Sequence, residues 1–203
     1  MSSAPEAFET EGEPMSSEPG GRAPVPGRLR LLQQFLNTND IEGRADELAT
    51  REDLASWLAD RGFRVDEGRI DAAAVTRAIE VREALRTLIV AKDEGGDAHD
   101  ARRRLREAAS RADFVLTLEP RRWQLESKRR DLDGAVGTML AIVVDAMADG
   151  TWGRLKACHR DVCRWVFWDA SRSRSGSWCD MSICGNRMKS ARFRERLNEA
   201  RTP

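Results

Sequence analysis

Four cysteines, Cys158, Cys163, Cys179 and Cys184, constrain this chain more than any other feature. They are all the cysteines it has, and they fall within CHRDVCRWVFWDASRSRSGSWCDMSICGNR, residues 158–187. Each pair encloses four residues, and fifteen residues separate the pairs. Thiolates at two equal, short spacings suit one structural Zn²⁺ ion held tetrahedrally by four sulfurs. The competing reading is two disulfides, which a reducing cytosol disfavours. His159 is an alternative ligand, but its neighbour Cys158 fits the spacing better. A site closed by four sulfurs has no coordination position left for water, so metal-assisted hydrolysis is not expected. The His-x-Glu arrangement of zinc deaminases is missing as well.

Charge is distributed unevenly. The chain as a whole is neutral, with 34 basic and 34 acidic residues. From Gly150 onward there are twelve Lys/Arg against five Asp/Glu, a net of +7, so the preceding part carries −7. A module of one sign beside a module of the other is the footprint of a domain that meets a polyanion, or of a basic helix that merely faces solvent. No apolar run reaches the roughly 18 residues of a membrane span, and no basic-then-apolar leader opens the chain. The expectation is a soluble, cytoplasmic protein with no membrane partner.

In chain order, residues 1–27 are rich in Ser, Glu, Pro and Gly, and read as a disordered tail. Residues 28–150 read as one mainly helical α+β domain. Leu29–Leu36 is an apolar first element, followed by the polar cluster Asn37-Thr38-Asn39-Asp40. Thr50 and Asp53 form a capping box ahead of a helix that ends near Gly62. A long amphipathic helix runs from Asp71 to about Lys92, its stripe traced by Val75, Ala78, Ile79, Arg82, Leu85, Leu88 and Ile89. A second helix, about Asp97–Arg111, carries Arg102-Arg103-Arg104, a run that reads as a solvated face. Phe114–Leu118 and Trp123–Leu125 alternate apolar and polar around Pro120 and predict a β-hairpin. Leu132–Ala148 predicts a buried helix through Val136, Met139, Leu140, Val143 and Met147, with Gly150 as its stop.

Residues 151–203 read as the metal-binding module. Trp165–Trp168 is strand-like, Ala170–Ser177 is a polar reversal, and the segment after Gly185 is helix-forming. Loop, hairpin and then a helix with a ligand at its start is a treble-clef-like plan. Viewed down that helix from Arg187, Lys189, Arg192 and Arg196 fall together between about 140° and 200°, while Phe193 and Leu197 form an apolar edge beside them. Arg187 and Arg194 lie on the opposite side.

Cys184-Gly185-Asn186-Arg187, preceded by Trp178-Cys179 and Met181, resembles the signature of the CGNR-type zinc-finger family. In that family the finger usually follows an N-terminal domain called ABATE, whose start the string Phe35-Leu36-Asn37-Thr38 resembles. Asp169, Ser171 and Arg172 resemble the family's Asp-x-Ser-Arg segment. This chain departs from the pattern at Gly176 and Ser177, where family members often carry basic residues. The resemblance implies a stress-related transcriptional regulator.

Three functions follow as expectations. The first is a zinc-dependent DNA-binding regulator. Its duplex contacts would come from Arg172, Arg174, Lys189, Arg192 and Arg196, and its N-terminal domain would sense a small-molecule ligand or mediate assembly. A homodimer suits this reading, because operators are often palindromic. Asp169, Gly185, Asn186 and Arg187 would be framework, with Asp169 pairing Arg187 or Arg172. The second is a protein- or ligand-binding module in which zinc is purely structural and the basic helix docks on an acidic partner, the N-terminal domain included. The third, an enzyme, finds no paired nucleophile and base, no phosphate-binding glycine loop and no open metal site, so the expectation is that the chain is not one.

Overall fold

The computed structural model describes residues 19–66, 68, 70–119 and 122–199. Of the tail expected to be disordered, residues 1–18 lie outside the described residues. Residues 19–27 correct that expectation, since Val25 is buried in the core and Arg22 reaches across to the cysteine module. Composition averages over a segment and overlooks single anchors of this kind.

The helices start where the sequence supplies caps. Helix α1 (Leu29–Asn37) buries Leu29, Leu32, Phe35 and Leu36. A two-residue ladder of β1 (Asn39–Asp40) and β2 (Ala45–Asp46) follows. Helix α2 (Arg51–Asp60) opens on the capping box, Thr50 Oγ1 accepting from Asp53 N at 3.1 Å and Asp53 Oδ2 accepting from Thr50 N at 3.0 Å. Asp71 accepts from Ala74 N at 2.7 Å at the head of α3 (Ala72–Glu94). Helix α4 (His99–Arg111) turns part of its arginine run onto carboxylates, Arg103 on Asp100 and Glu107 and Arg104 on Glu80. Strands β3 (Phe114–Glu119) and β4 (Arg122–Ser127) pair antiparallel in the register Phe114↔Ser127. The expected turn residues Pro120 and Arg121 lie outside the described residues. The outer half of this hairpin leaves Leu116, Leu118 and Trp123 exposed.

Helix α5 (Leu132–Ala148) is largely buried, Val136, Met139, Leu140 and Val143 included. Met147 is the correction: it is 52% exposed, because it lines an open groove with Leu88, Ala91 and Trp152. Buried Arg82 sits within the apolar stripe of α3 because Asp46 and Glu83 neutralise it and Thr38 Oγ1 accepts from it at 3.0 Å.

The cysteine module is built on β5 (Leu155–Ala157) and β6 (Val166–Trp168), paired antiparallel from Leu155↔Trp168 to Ala157↔Val166. The strand at 166–168 therefore pairs backward in sequence, and the loop holding Cys158 and Cys163 is the hairpin's own connection. Leu-Lys-Ala is too short for a period-two pattern to announce it. Helix α6 (Asn186–Glu199) closes the described chain. Trp152, Leu155, Ala157 and Val166 belong to the same apolar core as α1, α3 and α5. The result is an α+β fold: a helical N-terminal part with a hairpin, then a compact four-cysteine module ending in a helix. No helix among the described residues is long and apolar enough to cross a membrane.

Candidate metal centre and basic face

The hairpin connection brings Cys158 and Cys163 to one side of the module, and the turn before α6 brings Cys179 and Cys184 to the same point. All four Sγ atoms lie within 4.8 Å of one another. Cys163 Sγ is 3.6 Å from Cys179 Sγ, which is 3.7 Å from Cys184 Sγ. A zinc–sulfur bond of about 2.3 Å in a tetrahedron places sulfurs about 3.8 Å apart, so the donor set fits that ion in type and in spacing. No disulfide joins these thiols. A hydrogen bond to Cys158 pushes Cys163 up to about 12 and drives Cys179 up as well, with repulsion from the Cys158 thiolate adding to both, while the same bonds favour that thiolate. A bound dication reverses that repulsion.

The surroundings hold the sulfurs in place. Cys158, Cys179 and Cys184 are buried with Phe167, and Cys163, Trp165 and Trp178 pack against them. Asp180 accepts from Ser182 N at 2.7 Å and from Ile183 N at 3.2 Å, which caps the turn leading into Cys184. Arg160 Nη1 lies 4.0 Å from Cys184 Sγ, a charged donor toward a ligand atom. Arg22 stacks 4.0 Å from the Phe167 ring centroid, and donates to Cys179 O at 2.8 Å and to Trp178 O. His159 turns its ring edge-on to Trp178, 5.8 Å away, and is not one of the clustered donors.

The motif residues divide by task. A Cβ on Gly185 would come within 2.4 Å of Met181 Sδ and 3.3 Å of Trp178 Cδ1, so a larger residue would have to displace the half-exposed Met181 side chain. Asn186 Nδ2 donates to Ser182 O at 3.0 Å and ties α6 to the preceding turn. The expected pairing of Asp169 with Arg187 or Arg172 is corrected. Asp169 is buried, and accepts from Ser171 N at 3.0 Å and Gly176 N at 2.7 Å, which closes the polar reversal from inside. Burial opposes its charge, but these bonds and the field of Arg22 outweigh it and hold the carboxyl below its ordinary value. Arg187 pairs instead with Glu42, in the connection between β1 and β2. The same carboxylate receives Arg160 Nη1 at 2.5 Å and Nη2 at 2.9 Å.

Arg172 and Arg174 lie on the reversal, and Lys189, Arg192 and Arg196 on one side of α6. All five are exposed, and none has a carboxylate partner among the described residues. On the other side of α6 a groove of about 440 Å³ is lined by Ser182, Ile183, Asn186, Arg187, Ser190 and Arg194. The helix thus divides its cations between two faces. Phe193 and Leu197, the apolar edge beside the trio, are 56% and 48% exposed. Helix α6 is tethered mainly at its start, so its later turns stand clear.

Sequence reasoning missed Glu42, Arg160, Arg22 and Asp180. Asp180 carried a local signal, an acid two residues ahead of Ser182. Glu42 and Arg22 carried none, because their partners lie more than a hundred residues away.

Residues 29–150 match the ABATE family, whose description is "Putative stress-induced transcription regulator", and residues 154–197 match the CGNR zinc-finger family. No curated protein matches the chain.

Proposed function

The chain belongs to the ABATE family and carries a CGNR zinc finger behind that domain, and from this premise we propose that it is a zinc-dependent, DNA-binding transcriptional regulator. One Zn²⁺ ion, held by Cys158, Cys163, Cys179 and Cys184, is structural in this reading. It closes a module too small to hold itself together, and its binding free energy is folding free energy. Such a site supplies a scaffold and leaves contact with a partner to the side chains around it.

The observation that supports DNA as the partner is the pairing pattern of the cations. Some arginines of the N-terminal part, Arg28, Arg82, Arg86, Arg103 and Arg104 among them, sit on carboxylates, as do Arg160, Arg164 and Arg187 of the module, while Arg30, Arg102 and Arg106 have no carboxylate partner among the described residues. Arg172, Arg174, Lys189, Arg192 and Arg196 project into solvent without one among the described residues. Unpaired cations at a helix and a neighbouring loop suit a phosphate backbone, which fixes register before any base is read. The N-terminal part offers two features for sensing or assembly. One is the groove of about 350 Å³ where Lys92, Arg102 and Met147 meet Trp152. The other is the exposed hairpin face of Leu116, Leu118 and Trp123.

A second reading, a protein-binding module with a structural zinc, draws on the Glu42 contact, since the basic module does engage the acidic part of its own chain there. Selection of bound sequences from a random duplex pool separates the two. Zinc-loaded protein should enrich a duplex sequence, and a Lys189→Ala/Arg192→Ala/Arg196→Ala variant that keeps its zinc should not. No enrichment by the wild-type protein would favour the second reading.

A further inference from the structure

Arg160 and Arg187 form a two-arginine fork beside the cysteine cluster, and one carboxylate fills it. Glu42 receives both terminal nitrogens of Arg160 and one of Arg187. Around that carboxylate the structure has the parts of an oxyanion site. Arg187 of the fork also lines the groove of Ser182, Asn186, Ser190 and Arg194, whose lining contains no carboxylate. Two guanidinium groups converging on two oxygens is also how arginine grips a phosphate.

We infer that the fork of Arg160 and Arg187 is a phosphodiester site, and that Glu42 occupies it as an intramolecular stand-in which nucleic acid must displace. The inference rests on the DNA reading and extends it by placing a regulated contact next to the metal centre. Three further observations support it. Glu42 comes from the N-terminal part, on the short exposed connection 41–44, so it can withdraw without unpacking the core. The Glu42 side chain is 41% exposed and Arg187 53%, so that contact is open to exchange, whereas Arg160, 16% exposed and bonded through both terminal nitrogens, is the firmer half of the grip. The buried Arg82–Asp46 pair, by contrast, has its guanidinium sealed in the core. Finally, this face lies opposite Lys189, Arg192 and Arg196 on α6, so engaging it adds phosphate contacts that the trio cannot make.

The arginines themselves are poor test positions, because Arg160 also faces Cys184 Sγ. Removing the N-terminal part is unsuitable too, since β5 and β6 share its core. The test therefore alters the stand-in, in the full-length, zinc-loaded chain. Glu42→Gln keeps the shape and removes the charge, and Glu47→Gln, at an exposed carboxylate that touches neither arginine, controls for the general field. Affinity for a random-sequence duplex is measured against salt. Glu42→Gln should bind several-fold tighter, with a log–log salt slope steeper by about 1 to 2, the increment for one or two added phosphate contacts. Glu47→Gln should move neither by as much. In parallel, inorganic phosphate should shift the Nε–H resonances of Arg160 and Arg187 in Glu42→Gln more strongly than in wild type. Equal effects from the two variants, or no gain from Glu42→Gln while wild type binds DNA, would overturn the stand-in and leave the DNA reading intact. A phosphate response at the two arginines with no duplex binding by any protein would sustain the anion site and overturn its assignment to DNA.

Discussion

Asn37 and Val166 exchange two hydrogen bonds: Asn37 Nδ2 donates to Val166 O, and Val166 N donates to Asn37 Oδ1, both at 2.8 Å. The amide at the end of α1 thereby acts as a one-residue neighbouring strand for the edge of β6. Gln33 adds a donor to the same carbonyl at 3.1 Å, and Arg86 bonds the backbone of Leu36 and Arg164. This polar seam, together with the shared apolar core, joins the metal module to the helical part.

Asn37→Ala should destabilise the whole protein. It leaves the N–H of fully buried Val166 without its partner, at a cost of about 1–3 kcal/mol. Thermal unfolding of the zinc-loaded protein should shift down by roughly 3–10 °C for a chain of this size. An unchanged midpoint would show that the seam contributes nothing.

Chelation should be felt far from the cysteines. Because Leu155, Ala157 and Val166 pack with α1 and α3, loss of the metal should loosen the helical part as well as the finger. The zinc-loaded chain should unfold in one cooperative transition, and the chelated chain should unfold at lower temperature with a broadened one. A helical transition indifferent to chelation would mean two independent units.

The Asp46–Arg82–Glu83 cluster predicts an acid limb in stability. Burial raises both carboxyls, but the arginines outweigh it and hold them below their ordinary values of 3.8 and 4.5. The folded state therefore binds fewer protons than the unfolded one. The contribution of these groups is complete above about pH 5.5 and is lost as pH falls through the lowered folded values. Asp46→Asn should reduce stability at neutral pH and lose less than wild type on acidification. Parallel pH profiles would contradict this assignment.

What the sequence disclosed divides by range. The capping box of Thr50 and Asp53, the start of α3 at Asp71 and the cysteine spacing are local statements, and the structure carries each of them through. Arg82 was visible as a charge within an apolar stripe, although its partner Asp46 was not. The pairing of β5 with β6 was hidden because three residues make no periodicity. Arg22 and Glu42 were hidden because an ion pair or a stacked ring spanning the chain leaves no mark at either end.

Contact between exposed cations on a zinc-held scaffold and the phosphates of duplex DNA makes binding depend on salt. Its most direct test is the salt dependence of duplex binding by the zinc-loaded protein, beside the Lys189→Ala/Arg192→Ala/Arg196→Ala variant. Each phosphate contact contributes about −0.9 to the slope of log K against log salt. Wild type should give a steep negative slope, and the variant, with its zinc content unchanged, a slope shallower by about 2 to 3. No binding at low salt, or the same slope for both proteins, would contradict it.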